Sequence, residues 1–251
     1  MPTQYKMLSG IFSICILMLM FTPVYSLQTK LQQIKNQGYI TVAIPDKSYP
    51  PFIVYLEDGH FEGSDIWLIN KISKYLNVTV KYLSYATANA QIEAVANSKV
   101  DIAIGGLSAT LKRSKKVNFS IPYAKLNLVL LVSRFSDLTP QSNFGRNTSI
   151  GVLADSSFVE YAEQKFSNAN IKPYRSSQSM LVAVKEKKVD AALSDINKAR
   201  NLLNSDPADG MYIRIMVIPN FSDLIAIAAN YDAPDLTQSL NTVIKKLRLS
   251  E

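Results

Sequence analysis

The stretch from Gly105 to Tyr123, GGLSATLKRSKKVNFSIPY, combines residue types suited to holding a small anion. Two glycines let the backbone approach a bound group closely and expose its N–H groups. Ser108 and Thr110 add short hydroxyl donors, and Thr110 is placed to cap a helix that begins at LKRSKK. A helix start offers free N–H groups and partial positive charge to a carboxylate. Arg113 falls in the first turn after that cap, so its planar fork can point at the same anion. Guanidinium–carboxylate pairing is strong and geometrically selective. The run Lys112-Arg113-Ser114-Lys115-Lys116 also reads as a basic patch for nucleic acid. The three lysines lie on other faces than Arg113, which assigns them to solvated surface.

Other chemistries lack their residues. The single histidine, His60, sits beside an Asp58-Gly59 turn, and the single cysteine, Cys15, lies near the N-terminus. No HExxH, Cys-His or EF-hand spacing occurs, so no metal is expected. Neither GxGxxG nor GxxxxGK[ST] follows a strand, and GxSxG is missing, so no nucleotide cofactor or serine relay is expected. Four acids, Asp46, Asp65, Asp155 and Asp195, fall near strand ends or turns. Capping a helix or bracing a loop is the competing role for each, and for Asp65 the favoured one.

The elements that must position these residues alternate. YITVAI (39–44) reads as a strand, Asp58-Gly59 as the turn of a small hairpin, and Ile66, Leu68, Ile69, Ile72 and Leu76 as one face of a helix. VTVKYLSY (78–85), a helix over ANAQIEAVANSK, and VDIAIG (100–105) complete a βαβαβ order, which implies a parallel sheet covered by helices on both faces. A second block repeats the idea: strand TSIGVLA, helix SSFVEYAEQKF, helix SMLVAVKEKK, strand VDAALSDI. NSKVDIAIGG in the first block and EKKVDAALSD in the second echo each other. Between the blocks NLVLLVS is a strand, and after them the segment from Ile218 supplies one strand and one helix. The expected architecture is two α/β lobes with a ligand cleft between them, beyond the carboxyl ends of the strands.

The N-terminus reads as a secretory leader over residues 1–26. Lys6 precedes an apolar core, IFSICILMLMF, shorter than the ~20 residues of a membrane span. Pro23-Val24-Tyr25-Ser26 offers the small or apolar residues that signal peptidase accepts. Cys15 lies inside that leader, so the exported chain has no disulfide, cysteine nucleophile or thiolate metal site. The net charge of +7 is scattered and reads as solvated surface; no nucleic-acid partner is expected for an exported protein. No later apolar run is long enough to cross a membrane, so a soluble product is expected.

SYPPFIVYLEDGHFEGSDIWLINKI, VDIAIGGLSATLKRSKKVNFSIPY and KVDAALSDI resemble, in order, the bacterial extracellular solute-binding proteins of family 3, the periplasmic polar amino-acid receptors of ATP-driven importers. The run T-x-x-R-x-x-x-V-x-F-S-x-P-Y, Thr110 to Tyr123, is the most specific piece. The resemblance implies an α/β, two-lobed periplasmic binding fold of type II, each lobe a mixed, mainly parallel sheet flanked by helices. Lobe 1 would comprise 27–122 with 220–251, and lobe 2 would be 123–219. It implies that Arg113 binds the ligand α-carboxylate with Ser108, that the Gly106 carbonyl and Asp195 take the α-ammonium, that Tyr49 stacks on the side chain, and that Asp46 contacts its far end. Packing at a hinge is the other reading of Tyr49, and a helix cap that of Asp195.

The chain also departs from the pattern. At the second lobe's first strand–helix turn, where the family has glycine followed by Thr or Ser, it reads Ala154-Asp155-Ser156-Ser157. Ser156 keeps the donor, while Asp155 replaces the glycine and would repel a carboxylate unless it turns away or pairs with Arg113. The family aromatic after Tyr85 gives way to small residues around Ala88, with Tyr85 as a substitute, and the C-terminal turn and aromatic helix of the family are shortened. The resemblance implies a periplasmic protein, expected to be a monomer, that captures a polar amino acid by lobe closure and presents it to an ABC transporter permease. Asp46, Asp155 and Asp195 facing the cleft favour a cationic side chain; glutamine is the neutral alternative. Two rivals stand beside this: a dehydratase of cyclic carboxylic acids on the same fold, with Asp155 as its acid, and a ligand-sensing accessory domain.

Overall fold

The computed structural model describes residues 28–249; the leader expected over 1–26 lies outside the described residues. In the first lobe α1 (Lys30–Gln37) opens on a capping box between Thr29 and Gln32 and ends at Gly38, whose φ of 76° glycine adopts without strain. Strand β1 (Tyr39–Pro45) follows, then a hairpin of β2 (Val54–Tyr55) and β3 (Phe61–Glu62), and α2 (Ser64–Leu76). Ile66, Leu68, Ile69, Ile72 and Leu76 all lie on the buried face of α2, as their spacing predicts. Strand β4 (Thr79–Tyr85), α3 (Ala88–Ala96), β5 (Ile102–Ala103) and β6 (Asn118–Phe119) complete the first run.

The chain then enters the second lobe along β7 (Ala124–Ser133). There β8 (Ser149–Leu153), α4 (Ser157–Lys165), β9 (Asn170–Tyr174), α5 (Ser177–Lys185), β10 (Ala191–Asp195), α6 (Ile196–Ser205) and α7 (Asp209–Tyr212) follow in order. The long β11 (Ile213–Ile225) returns to the first lobe, which closes with β12 (Ala228–Ala229) and α8 (Pro234–Arg248).

Each lobe holds one five-stranded sheet, β4-β1-β5-β12-β6 and β11-β7-β10-β8-β9. In the first, β4, β1 and β5 run parallel; in the second, β9, β8 and β10 do. Antiparallel strands extend both sheets, so the mixed, mainly parallel arrangement matches the expectation. Ile40, Val42 and Ile44 on one face of β1 and Ala43 on the other are buried, as are Leu128, Leu130 and Val132 on one face of β7 and Val129 and Leu131 on the other, as strands covered on both faces must be.

The echoed Val-Asp pair has a structural job. Asp101 accepts from the backbone N–H and hydroxyl of Thr41, both at 2.7 Å, and Asp190 does the same with Ser149 at 2.7 and 2.8 Å. Each acid thus pins the start of the neighbouring parallel strand in its own lobe. Ser98 and Lys187, just before the two motifs, both turn the chain with φ near 57°.

Two strands join the lobes. β7 and β11 pair antiparallel from Ser133 with Ile213 to Ala124 with Ile225, with an irregularity between Val217 and Ser222. The end of β11 also bonds to the loop after β5: Ala109 N–H donates to Leu224 O and Ala226 N–H to Leu107 O. This fastens the segment that carries Ser108 to a crossover strand.

Candidate functional site

A cavity of about 530 Å³ opens between the lobes, walled by the ends of β1 and β5 on one side and by the β8–α4 turn and the start of α6 on the other. The two glycines after β5 bring backbone against aromatic and proline rings. A β-carbon on Gly106 would lie 2.6 Å from the Tyr49 ring and 2.8 Å from that of Phe52, and one on Gly105 would lie 2.3 Å from Pro45 Cδ. Gly106, at φ 65°, is therefore the seat on which Tyr49 rests.

The Gly106 N–H does not point into the cleft. It donates to Asp65 Oδ2 at 2.9 Å, and the same oxygen accepts the Tyr123 hydroxyl at 2.7 Å. Asp65 is thus the loop brace that its sequence position suggested. Burial pushes its pKa up to about 6, against the lowering by these hydrogen bonds.

The helix expected over LKRSKK is a single 3-10 turn, Arg113–Lys115. Thr110 still accepts from Arg113 N–H at 3.3 Å, but Asn118 must already join the sheet edge beside Ala229, which leaves room for one turn only. The turn nevertheless buries Arg113, which is 7% exposed. Its Nη1 donates to Ser108 O at 3.1 Å, the guanidinium's only hydrogen bond among the described residues. Burial lowers its pKa, opposed first by the Asp223 carboxylate. Of five N–H donors, most are left to face the cavity.

Asp223, on β11, was not singled out by sequence reasoning. It is 2% exposed and accepts the hydroxyls of Ser108 and Tyr161, each at 2.6 Å. Burial raises its pKa, while those two hydroxyls and Arg113 hold it down. Because Ser108 gives its proton to Asp223, Ser157 is the donor in the 2.9 Å contact between the two serines across the cleft. An acid within the otherwise apolar run FSDLIAIAA was the available signal.

In the second lobe's turn Asp155 has φ 57°, the left-handed conformation that explains a glycine at this place. It is exposed and lines both this cavity and a neighbouring one of about 720 Å³ that shares Arg113. Ser156 lines the same wall but spends its hydroxyl on capping α4: it donates to Leu153 O at 2.6 Å and accepts from Phe158 N–H at 3.2 Å. Ser157, the next residue, is the one that reaches across.

Asp195 takes the helix-cap role that its sequence position offered, and its second oxygen is taken by the other lobe. Oδ1 caps α6 by accepting from Lys198 N–H at 2.8 Å, and Oδ2 accepts the Tyr49 hydroxyl at 2.8 Å from the opposite lobe. It is 1% exposed and lies behind Tyr49 rather than on the cavity wall. Asp46 is exposed at the rim, and its N–H donates to Tyr85 O. Tyr85 itself packs with Ile92 and Val95 in the first lobe's core, not on the wall. Lys198, also unforeseen, lines the wall with its Nζ 4.7 Å from the Tyr49 ring centre and 5.5 Å from that of Phe158. Burial lowers its pKa, partly offset by Asp195.

Comparison with known proteins agrees with this geometry. The chain is 24% identical over 208 residues to the arginine-binding periplasmic protein of Mannheimia haemolytica, spanning 82% of this chain and 85% of that one. It is 23% identical over 210 residues to the cyclohexadienyl dehydratase of Pseudomonas aeruginosa, spanning 80% and 75%. An amino acid ABC transporter substrate-binding protein, AbpA of Streptococcus pneumoniae bound to L-arginine, superposes with a TM-score of 0.70 at 25% identity, over 87% of this chain and 92% of that one. The two-lobed fold is thus that of the amino-acid-binding proteins. Residues 40–251 match the model of one family, and the chain belongs to it: the bacterial extracellular solute-binding proteins, family 3.

Proposed function

We propose that the protein captures a polar amino acid between its lobes, in the periplasm, and delivers it as a monomer to the permease of an ABC transporter. The observation that carries this is Arg113: a buried guanidinium at the lobe boundary with one hydrogen bond to protein and no ion pair within 4.0 Å among the described residues. A buried cation left so is costly unless an anion completes it, and a ligand α-carboxylate is the matching fork. Ser108 and Ser157 line the same cavity, and so does Tyr49. In this reading 27–122 with 220–251 form one jaw and 123–219 the other, and the irregularity of β11 after Val217 supports a hinge there.

A thermal-shift and calorimetric screen of the purified protein against L-amino acids tests this. At least one amino acid should raise the melting temperature, and Arg113→Ala should weaken its binding about 100-fold, as for the loss of a bidentate charged pair worth about 3 kcal/mol. No stabilisation by any amino acid, or equal affinity in the variant, would refute the reading.

One observation favours a second reading, an enzyme on the same fold. Asp223 is a buried acid with raised proton affinity beside Arg113 in the same cavity, which suits a general acid acting on a cyclic carboxylate. Turnover of a cyclohexadienyl carboxylic acid, abolished in Asp223→Asn, would establish it; no turnover leaves the receptor.

A further inference from the structure

The buried part of the cleft offers two cationic groups with few protein partners. Among the described residues, Arg113 has most of its N–H groups free of protein partners. Lys198 has three N–H groups and, among the described residues, neither an ion pair nor a side-chain hydrogen bond; its ammonium rests on the faces of Tyr49 and Phe158. Asp223 and Asp195 lie near these cations without forming an ion pair to either among the described residues, and both are held by other protein groups. Both oxygens of Asp223 accept hydroxyls, from Ser108 and Tyr161, and both oxygens of Asp195 accept, from Tyr49 and the Lys198 backbone, with Asp195 off the cavity wall. The exposed rim is balanced, with Lys47 and Arg175 against Asp46 and Asp155.

A cationic ligand would set its charge against these two donors, and the buried carboxylate on the wall, Asp223, already accepts two protein hydroxyls. Both cations line the same cavity of about 530 Å³. Resting on the receptor reading above, the geometry points to a ligand with two carboxylates, an acidic amino acid or a dicarboxylic acid, with one carboxylate on Arg113 and the second on Lys198. Lys198 is then the residue that selects the ligand's side chain. An ammonium held between two rings is partly stripped of water, so a carboxylate there gains more than it would at an exposed lysine. The lowered proton affinity of Lys198 fits such a desolvated place.

Titration calorimetry of the purified protein with L-glutamate, L-glutamine, L-arginine and glutarate reads this out. L-glutamate should bind at least tenfold more tightly than L-glutamine. Lys198→Gln should erase that ratio, and Lys198→Arg should keep it, each variant having first been shown to melt cooperatively. Glutarate binding as tightly as L-glutamate would assign the site to dicarboxylates, and much weaker binding to acidic amino acids. L-arginine or L-glutamine binding more tightly than L-glutamate, or a ratio unchanged in Lys198→Gln, would overturn the inference while leaving amino-acid capture intact. No binding of any of the four, together with no stabilisation in the wider amino-acid screen, would overturn both.

Discussion

The Tyr49 hydroxyl of one lobe and the Asp195 carboxylate of the other meet at 2.8 Å across the cleft. Asp195 is simultaneously the N-cap of α6, so the start of that helix, which carries Lys198, is tied directly to the first lobe. Tyr49 in turn is seated on Gly106, whose lack of a side chain makes room for its ring. The wall of the cleft is therefore one connected unit that runs from β5 to α6.

Tyr49→Phe keeps the ring and removes only this tie. An oxygen of a buried carboxylate loses its donor, at a cost of about 1–3 kcal/mol. Chemical denaturation should show that loss. Small-angle scattering of the ligand-free variant should give a larger radius of gyration than the parent, by a modest amount, because three other bonds between the jaws remain: Ser157 to Ser108, Tyr161 to Asp223 and the Lys112 N–H to Glu160. Unchanged stability and an unchanged scattering profile would mean that the bond does not hold the lobes together in solution.

Asp65 makes a prediction about pH. Its carboxyl is fully buried and its pKa is raised from 3.8 to about 6, with burial as the first cause. In the unfolded chain it ionises near pH 4, whereas in the folded chain it resists until about pH 6. Folding stability therefore falls as pH rises through that window, by about 3 kcal/mol from this group. Asp65→Asn keeps an acceptor for Gly106 and Tyr123 and cannot ionise. Denaturation of both proteins at pH 4 and pH 7 should show the parent losing about 2 kcal/mol more than the variant between the two, since part of the effect is already present at pH 4; parallel behaviour would show that the carboxyl is not perturbed.

Where a feature depends on local pattern, the sequence was sufficient. The face of α2, the parallel core of each lobe and the Val-Asp echo follow from spacing alone, and the run from Thr110 to Tyr123 located Arg113. What escaped depends on approach in space. Asp223 meets Ser108 from 115 residues away, along a crossover strand whose pairing no window of sequence contains. Lys198 carries no sequence signal; the helix capped by Asp195 places it over Tyr49. β9 escaped for a different reason: Pro173 interrupts its pattern, and proline is tolerated there because β9 pairs on one side only, at the sheet edge. The 3-10 turn at Arg113 shows the reverse case, where a helical pattern was cut short by the demand of the following strand.

Asp155 separates backbone strain from charge. At φ 57° a β-carbon costs roughly 1–2 kcal/mol for an ordinary residue, less for Asp, and nothing for glycine beyond the entropy of a freer unfolded chain. Asp155→Gly should therefore change stability by less than about 1 kcal/mol, and Asp155→Ala should be about 1 kcal/mol less stable than Asp155→Gly. Both variants remove the same carboxylate from the cavity wall, so both should tighten the binding of a carboxylate ligand by a similar factor in calorimetry. Equal stability of the two would show that residue 155 does not hold the left-handed conformation. A change in affinity seen in only one of them would mean that the backbone of this turn, rather than the charge of Asp155, is what the ligand senses.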